Sequence, residues 1–117
     1  MKHPIRIKRV YDRPAVDDGA RVLVDRLWPR GMSKEKAKIV LWLKDVAPSN
    51  GLRRWFAHKE ERWEAFTKKY RQELKDRGEL IEQLQAMAKT RTVTLLFAAQ
   101  DAERNNAVVL QDVLRKK

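Results

Sequence analysis

Thr92-Val93-Thr94-Leu95-Leu96-Phe97-Ala98 is the stretch that decides the fold. It is short, continuously apolar at its centre and rich in β-formers, and so reads as a strand that lies in the middle of a sheet. The chain before it is helical. Trp63, Phe66, Tyr70 and Leu74 recur at helical spacing from Glu60, which gives about four turns ending near Gly78. Leu80, Ile81, Leu84, Met87 and Ala88 mark a second helix. A buried strand after so long a helical stretch calls for a sheet with helices packed on it, parallel at least in part. Beyond the strand, Asn105 to Leu114 reads as a closing helix, with Val109–Val113 and Leu110–Leu114 as i,i+4 pairs.

Toward the N-terminus, Ile5 to Tyr11 reads as a first strand and Asp12 to Gly19 as a polar loop. Arg21 to Asp25 is the second strand. Ser33 caps a short helical turn through Lys38. Ile39 to Val46, with Val40, Trp42 and Val46 on one alternating face, is either a third extended segment or a helix continuing from Ser33, and is read as extended. Pro48-Ser49-Asn50-Gly51 is a turn, and Ser49 or Asn50 caps a brief helix through Phe56. The expectation is an α/β protein: a small single domain over 1–117, with a mostly parallel sheet of three to four strands and packed helices. Trp63, Phe66, Tyr70, Leu74, Val93, Leu95, Val109 and Val113 are its expected core.

The 117 residues suffice for one core. A chain 43% hydrophobic and 37% charged is too apolar for disorder. No apolar run approaches the roughly 18 residues of a membrane span, and the opening residues lack a signal-peptide core. A cytoplasmic location without membrane association is therefore expected. The absence of cysteine excludes disulfides, thiolate metal sites and cysteine catalysis. The 27 Lys and Arg outweigh 16 Asp and Glu, and the formal charge of +11 attracts anions, nucleic acid included.

The second strand ends abruptly. Val22-Leu23-Val24 gives way to Asp25-Arg26-Leu27-Trp28-Pro29-Arg30-Gly31, where proline and glycine break the backbone. Asp25, Arg26, Trp28 and Arg30 thus arrive together at a strand's carboxyl end, the usual ligand position in open α/β sheets. Arginine's planar fork suits phosphate or carboxylate, while its structural alternative is a turn-pinning pair with Asp12, Asp25 or Asp101. Trp28 suits either stacking on a ring or a place in the core.

A second cluster, Ala98-Ala99-Gln100-Asp101 into Arg104-Asn105-Asn106, lies between the central strand and the last helix. That helix start is an anion seat, with Asp101 or Asn105 serving alternatively as a cap. The third cluster runs from Pro48 and Ser49 through Arg53, Arg54, Trp55 and Phe56 to His58. His58 and Asp25 are the candidates for proton transfer. Loop aspartates at 12, 17 and 18 serve turns as readily as chemistry. No metal site is read, because His3 sits on the terminus away from His58. P-loop, dinucleotide, nucleophile-elbow and helix-turn-helix signatures are missing, and nothing specifies a cofactor.

Several segments carry a resemblance: Lys8-Arg9-Val10-Tyr11-Asp12, Asp18-Gly19, Asp25-Arg26-Leu27-Trp28-Pro29-Arg30-Gly31, Ala47-Pro48-Ser49, Leu52-Arg53-Arg54-Trp55-Phe56-Ala57-His58, Thr94-Leu95-Leu96, and Asn105-Asn106-Ala107-Val108-Val109-Leu110. They resemble the YeaO-like proteins of the domain-of-unknown-function 488 family over nearly the whole chain. The resemblance implies a small α/β domain whose Asp-Arg motif faces the end of the last strand. The wider family carries a cysteine-rich pattern ending Cys-His-Arg, where this chain has Phe97, Asn105, Asn106 and Ala107. YeaO-like members read Asn-His-Ala, so Asn106 replaces a histidine. An asparagine amide hydrogen-bonds but does not exchange protons near neutrality.

The expectation is therefore a crevice binding a phosphate-bearing small molecule or nucleotide. Its ligand residues are Arg26, Arg30, Trp28, Asp101, Asn105 and Asn106, with Ser49 and Arg53 as a second wall. One alternative is a nucleic-acid-binding module that uses a diffuse basic surface. The other is a hydrolase or transferase in which Asp25 or His58 handles protons.

Overall fold

The apolar stretch around Leu95 does lie at the centre of a sheet. The computed structural model describes residues 3–116. Strand β4 (Val93–Phe97) pairs with β1 (Ile5–Arg9) on one side and β2 (Ala20–Leu23) on the other, and β3 (Leu41–Trp42) lies beyond β2. All three pairings are parallel, and Leu95 stands opposite Ile7 in β1 and Val22 in β2. Between the strands lie α1 (Lys34–Ala37), α2 (Asn50–Phe56), α3 (Trp63–Lys75) and α4 (Gly78–Thr90), and α5 (Asn106–Arg115) closes the chain.

A parallel sheet must be covered on both faces. On one face Val22, Val24, Val93, Leu95 and Phe97 pack with Phe66 and Tyr70 of α3, Leu84 of α4 and Leu110 of α5. On the other, Leu23 and Leu96 meet Val10, Ala37 and Ile39. That thinner face also holds a buried ion pair. Arg21 donates through Nη1 to Asp18 Oδ2 at 2.7 Å and through Nε to the Ala37 carbonyl at 2.6 Å. Lys8 and the Ala15 N–H also donate to Asp18, at 3.1 and 2.9 Å. Burial opposes ionisation of Asp18, but these donors outweigh it and hold its carboxyl below the ordinary value. Gly19 beside it has φ +64°, and a Cβ there would lie 2.1 Å from the Thr92 carbonyl oxygen. Glycine lets the start of β2 close onto β4.

Tertiary packing moved several expected boundaries. The first strand stops at Arg9, although Val10 N–H still reaches the Phe97 carbonyl at 2.8 Å. The second ends at Leu23, before Asp25. Of the expected extended segment 39–46 only Leu41 and Trp42 form a strand, although the Val40 and Leu43 N–H groups also reach the Arg21 and Leu23 carbonyls of β2, both at 2.9 Å. Val40 and Trp42 face outward on this sheet edge, whereas a 3-10 turn at Lys44–Val46 carries Val46 into the core. The long helix ends at Lys75 rather than near Gly78, because Asp76 and Arg77 N–H groups close its last turn. Gly78 instead begins α4. Of the expected core residues, Trp63 and Val113 are half-buried and the others are buried. The caps lie where expected: Ser33, Ser49 and Asn105 each accept a backbone N–H of their helix.

Helix α3 fixes the chain between β3 and α2. Tyr70 Oη donates to the Val46 carbonyl at 2.6 Å, and Glu73 accepts from the Ser49 N–H at 2.8 Å and its hydroxyl at 2.6 Å. Two stability measurements probe this frame. Leu95→Ala is expected to cost about 2–5 kcal/mol in urea unfolding, since the central strand cannot collapse into the space left. Asp18→Asn leaves Arg21 buried without its counter-charge and is expected to cost about 3–5 kcal/mol near neutral pH. Because the native carboxyl titrates below its unfolded value, its contribution is present above the unfolded value and disappears in acid. The gap between wild type and Asp18→Asn should therefore narrow as pH falls through the lowered Asp18 value.

Candidate functional site

With every strand parallel, β1, β2 and β4 all end on the same edge of the sheet. At that edge lies a cavity of about 590 Å³. Val24 N–H still bonds the Leu96 carbonyl at 3.1 Å, after which the chain leaves β2 and turns Asp25 inward. Asp25 Oδ2 accepts the Ala98 N–H at 2.8 Å, which ties the end of β2 to the end of β4. Asp25 Oδ1 accepts from Asn106 Nδ2 at 3.1 Å, and the same amide donates to the Val24 carbonyl at 2.9 Å. The first residue of α5 is thus held against both strand ends.

Burial pushes the Asp25 carboxyl above its ordinary value, against the opposing pull of the Ala98 N–H, the Asn106 amide and His58. His58 lines the same cavity. Ala57 and His58 have φ of +46° and +58°, two successive left-handed residues that lack glycine's freedom. Such conformations cost about 1–3 kcal/mol each and persist only where surrounding structure imposes them, commonly at binding and active sites. Phe56 and Phe66, stacked at 4.3 Å, form an apolar wall.

Asp25, Arg26, Trp28, Arg30, Arg53, His58, Asn105 and Asn106 all line the cavity. Their side chains are not equally available. Arg26 donates to the Pro48 and Ala47 carbonyls, both at 3.1 Å, and lies 3.7 Å from Asp45. It reaches neither the Asn105–Asn106 backbone by a hydrogen bond nor Asp101. The carbonyls of the Ala47–Pro48 turn need donors, and the planar guanidinium satisfies two at once. Asn105 is buried and spent as a cap, accepting from Val108 N–H at 3.0 Å and donating to the Asp101 carbonyl at 2.9 Å. Trp28 donates to the Met32 carbonyl at 2.6 Å and packs edge-on against Trp42 with ring centres 5.2 Å apart.

Two expected ligand residues lie outside the cavity lining. Ser49 is occupied by Glu73 and by its role as the α2 cap. Asp101 caps the following turn, accepting from the Glu103 and Arg104 N–H groups at 2.9 and 3.0 Å, which hold its carboxyl below the ordinary value. Arg30 and Arg54 stand at the cavity with no side-chain hydrogen bond or ion pair among the described residues, and Arg53 donates only to Asn50 at 3.3 Å.

Tyr11 and Phe66 were not singled out as site residues from sequence, and Arg54 and Phe56 stood in the third cluster without being among the expected ligand residues. Tyr11 was legible by the same strand-end rule that selected Asp25, since it follows β1. Its hydroxyl donates to the Arg30 carbonyl at 2.9 Å. Phe66 carried no such signal, because helical spacing assigns it to the core. Arg9 supports the edge from behind, donating to the Ala99 carbonyl at 3.0 Å.

A carboxyl held above its ordinary value binds its proton more tightly folded than unfolded. Its contribution to stability is present at low pH and is lost as pH rises through the raised value. Asp25→Asn lacks this titration. Urea melts from about pH 3 to about pH 7, a span covering ordinary carboxyl values, should show the stability difference moving in the variant's favour as pH rises. A difference that stays constant would contradict the perturbed carboxyl.

The family model described as the inactive DUF488-N3 subclade matches residues 4–117. The uncharacterised protein Rv3073c of Mycobacterium tuberculosis is 42% identical over 110 residues, covering 94% of this chain and 92% of its own. The uncharacterised protein YeaO of Escherichia coli is 40% identical over 111 residues, covering 95% and 96%. No solved structure matches the chain significantly. The chain therefore belongs to the YeaO-like DUF488 proteins, in the subclade described as inactive.

Proposed function

We propose that the cavity binds a phosphate-bearing small molecule of nucleotide size, and that the protein acts by binding rather than by catalysis. The carrying observation is a pair of arginines without side-chain partners among the described residues, Arg30 and Arg54, lining a cavity that also carries the Phe56–Phe66 wall and the held Asp25 carboxylate. A guanidinium without a protein partner is available for bidentate contact with phosphate. The volume falls in the range of small-molecule pockets, roughly 300–1,000 Å³. Asn106 supports binding over catalysis, because its amide is fixed in hydrogen bonds and exchanges no proton near neutrality. The family's description as inactive points the same way. The hydrolase or transferase alternative would rest on Asp25 and His58 alone. A cytoplasmic location, where nucleotides are abundant, fits this reading.

Calorimetric titration with inorganic phosphate and with nucleoside monophosphates tests it. Saturable binding is expected, weakened about ten- to a hundredfold in an Arg30→Ala/Arg54→Ala variant, the size of one or two charge-assisted hydrogen bonds. Failure of every such probe to saturate would overturn the reading. The net charge of +11 favours nucleic acid as a second partner. Diffuse electrostatic binding should be independent of sequence and fall steeply with salt. A sequence preference that survives high salt would instead favour the nucleic-acid module.

A further inference from the structure

The lining of the cavity is mixed: Arg30, Arg53 and Arg54 bring positive charge to it, and Asp25 and Asn106 bring oxygen acceptors. Each Asp25 oxygen receives one donor, Oδ2 from Ala98 N–H and Oδ1 from Asn106. A carboxylate oxygen has room for a second. Both neighbours of the Asn106 Nδ2 are acceptors, the Val24 carbonyl and Asp25 Oδ1, which fixes the orientation of the amide. Its Oδ1 then accepts no hydrogen bond among the described residues. The pair has spent its own hydrogens and keeps acceptor capacity.

Resting on the reading of the cavity as a phosphate-ligand site, we propose that Asp25 and Asn106 select the ligand's other end for N–H donors. Among nucleotides this favours guanine, whose ring N1–H and 2-amino group point the same way. Two parallel N–H groups match the two oxygens of one carboxylate, as a guanidinium does. Uracil brings carbonyl oxygens to either side of its single N–H. Set against Asp25 and the Asn106 oxygen, those carbonyls lose water without gaining a donor, and that cost discriminates strongly. Phe56 and Phe66 supply an apolar wall for the base.

The test is calorimetric titration of the full chain with GMP, IMP, UMP and inorganic phosphate at one ionic strength. GMP is expected to bind about ten- to a hundredfold more tightly than UMP, the worth of one or two charge-assisted hydrogen bonds. IMP keeps N1–H but lacks the 2-amino group and should fall between them. In Asp25→Asn, with its fold checked by circular dichroism, the GMP-to-UMP affinity ratio should collapse toward one. Should that variant not fold, the wild-type series still decides. Equal binding of GMP and UMP, or a ratio preserved in folded Asp25→Asn, overturns donor selection while leaving phosphate binding intact. If neither phosphate nor any nucleotide saturates, the reading of the cavity fails and this inference fails with it.

Discussion

Strand β4 is the last strand in the chain, yet it enters the middle of the sheet between β1 and β2. Its backbone bonds to both neighbours are what the remaining structure depends on. Before β4 arrives, β1 and β2 have no contact as strands, and segments near opposite ends of the sequence must be brought together, at an entropic cost. Insertion in parallel then sends three chain ends to one edge. The cavity is a consequence of that direction, since an antiparallel β4 would send the Ala98 N–H to the other edge, away from Asp25.

The close approach of β2 to β4 imposes its own requirements. Gly19 is needed because no side chain fits against the Thr92 carbonyl. On the thinly covered face, Asp18 and Arg21 lie within the sheet's covering layer, where neither charge is tolerable without the other. Thr94, inward-facing on the same side, donates its hydroxyl to the Asp18 carbonyl at 2.6 Å. A polar cluster thus fixes register where hydrophobic packing is thin. The thicker face relies on apolar volume instead.

The edge of the sheet is organised around carbonyls and N–H groups that the strands leave unpaired. Asp25 takes the Ala98 N–H, Asn106 serves the Val24 carbonyl, and Arg26 serves the Ala47 and Pro48 carbonyls. Arg9 serves Ala99 in the same way. Most polar groups that look chemically active in this region are therefore structural, and those left over among the described residues are Arg30, Arg54, His58 and the remaining acceptor capacity of Asp25 and Asn106. Sorting these groups requires knowing each partner, and a partner is a matter of distance in space.

The sequence by itself determined the α/β class, the central place of Val93–Phe97, the caps at Ser33, Ser49 and Asn105, and the crossing of motifs at one sheet edge. These are local or periodic properties, carried by side-chain type and spacing within a few residues. It also indicated the resemblance that 40% identity to YeaO bears out. Only the tertiary structure decided that Arg26 is committed to the 47–48 turn and that Ser49 belongs to Glu73. It likewise placed Asp101 outside the cavity lining while Tyr11 and Phe66 lie on it. Those outcomes depend on contacts between residues such as Asp25 and Ala98, 73 positions apart. The energy of a hydrogen bond or of burial is set by which groups meet, and one-dimensional spacing does not carry that information.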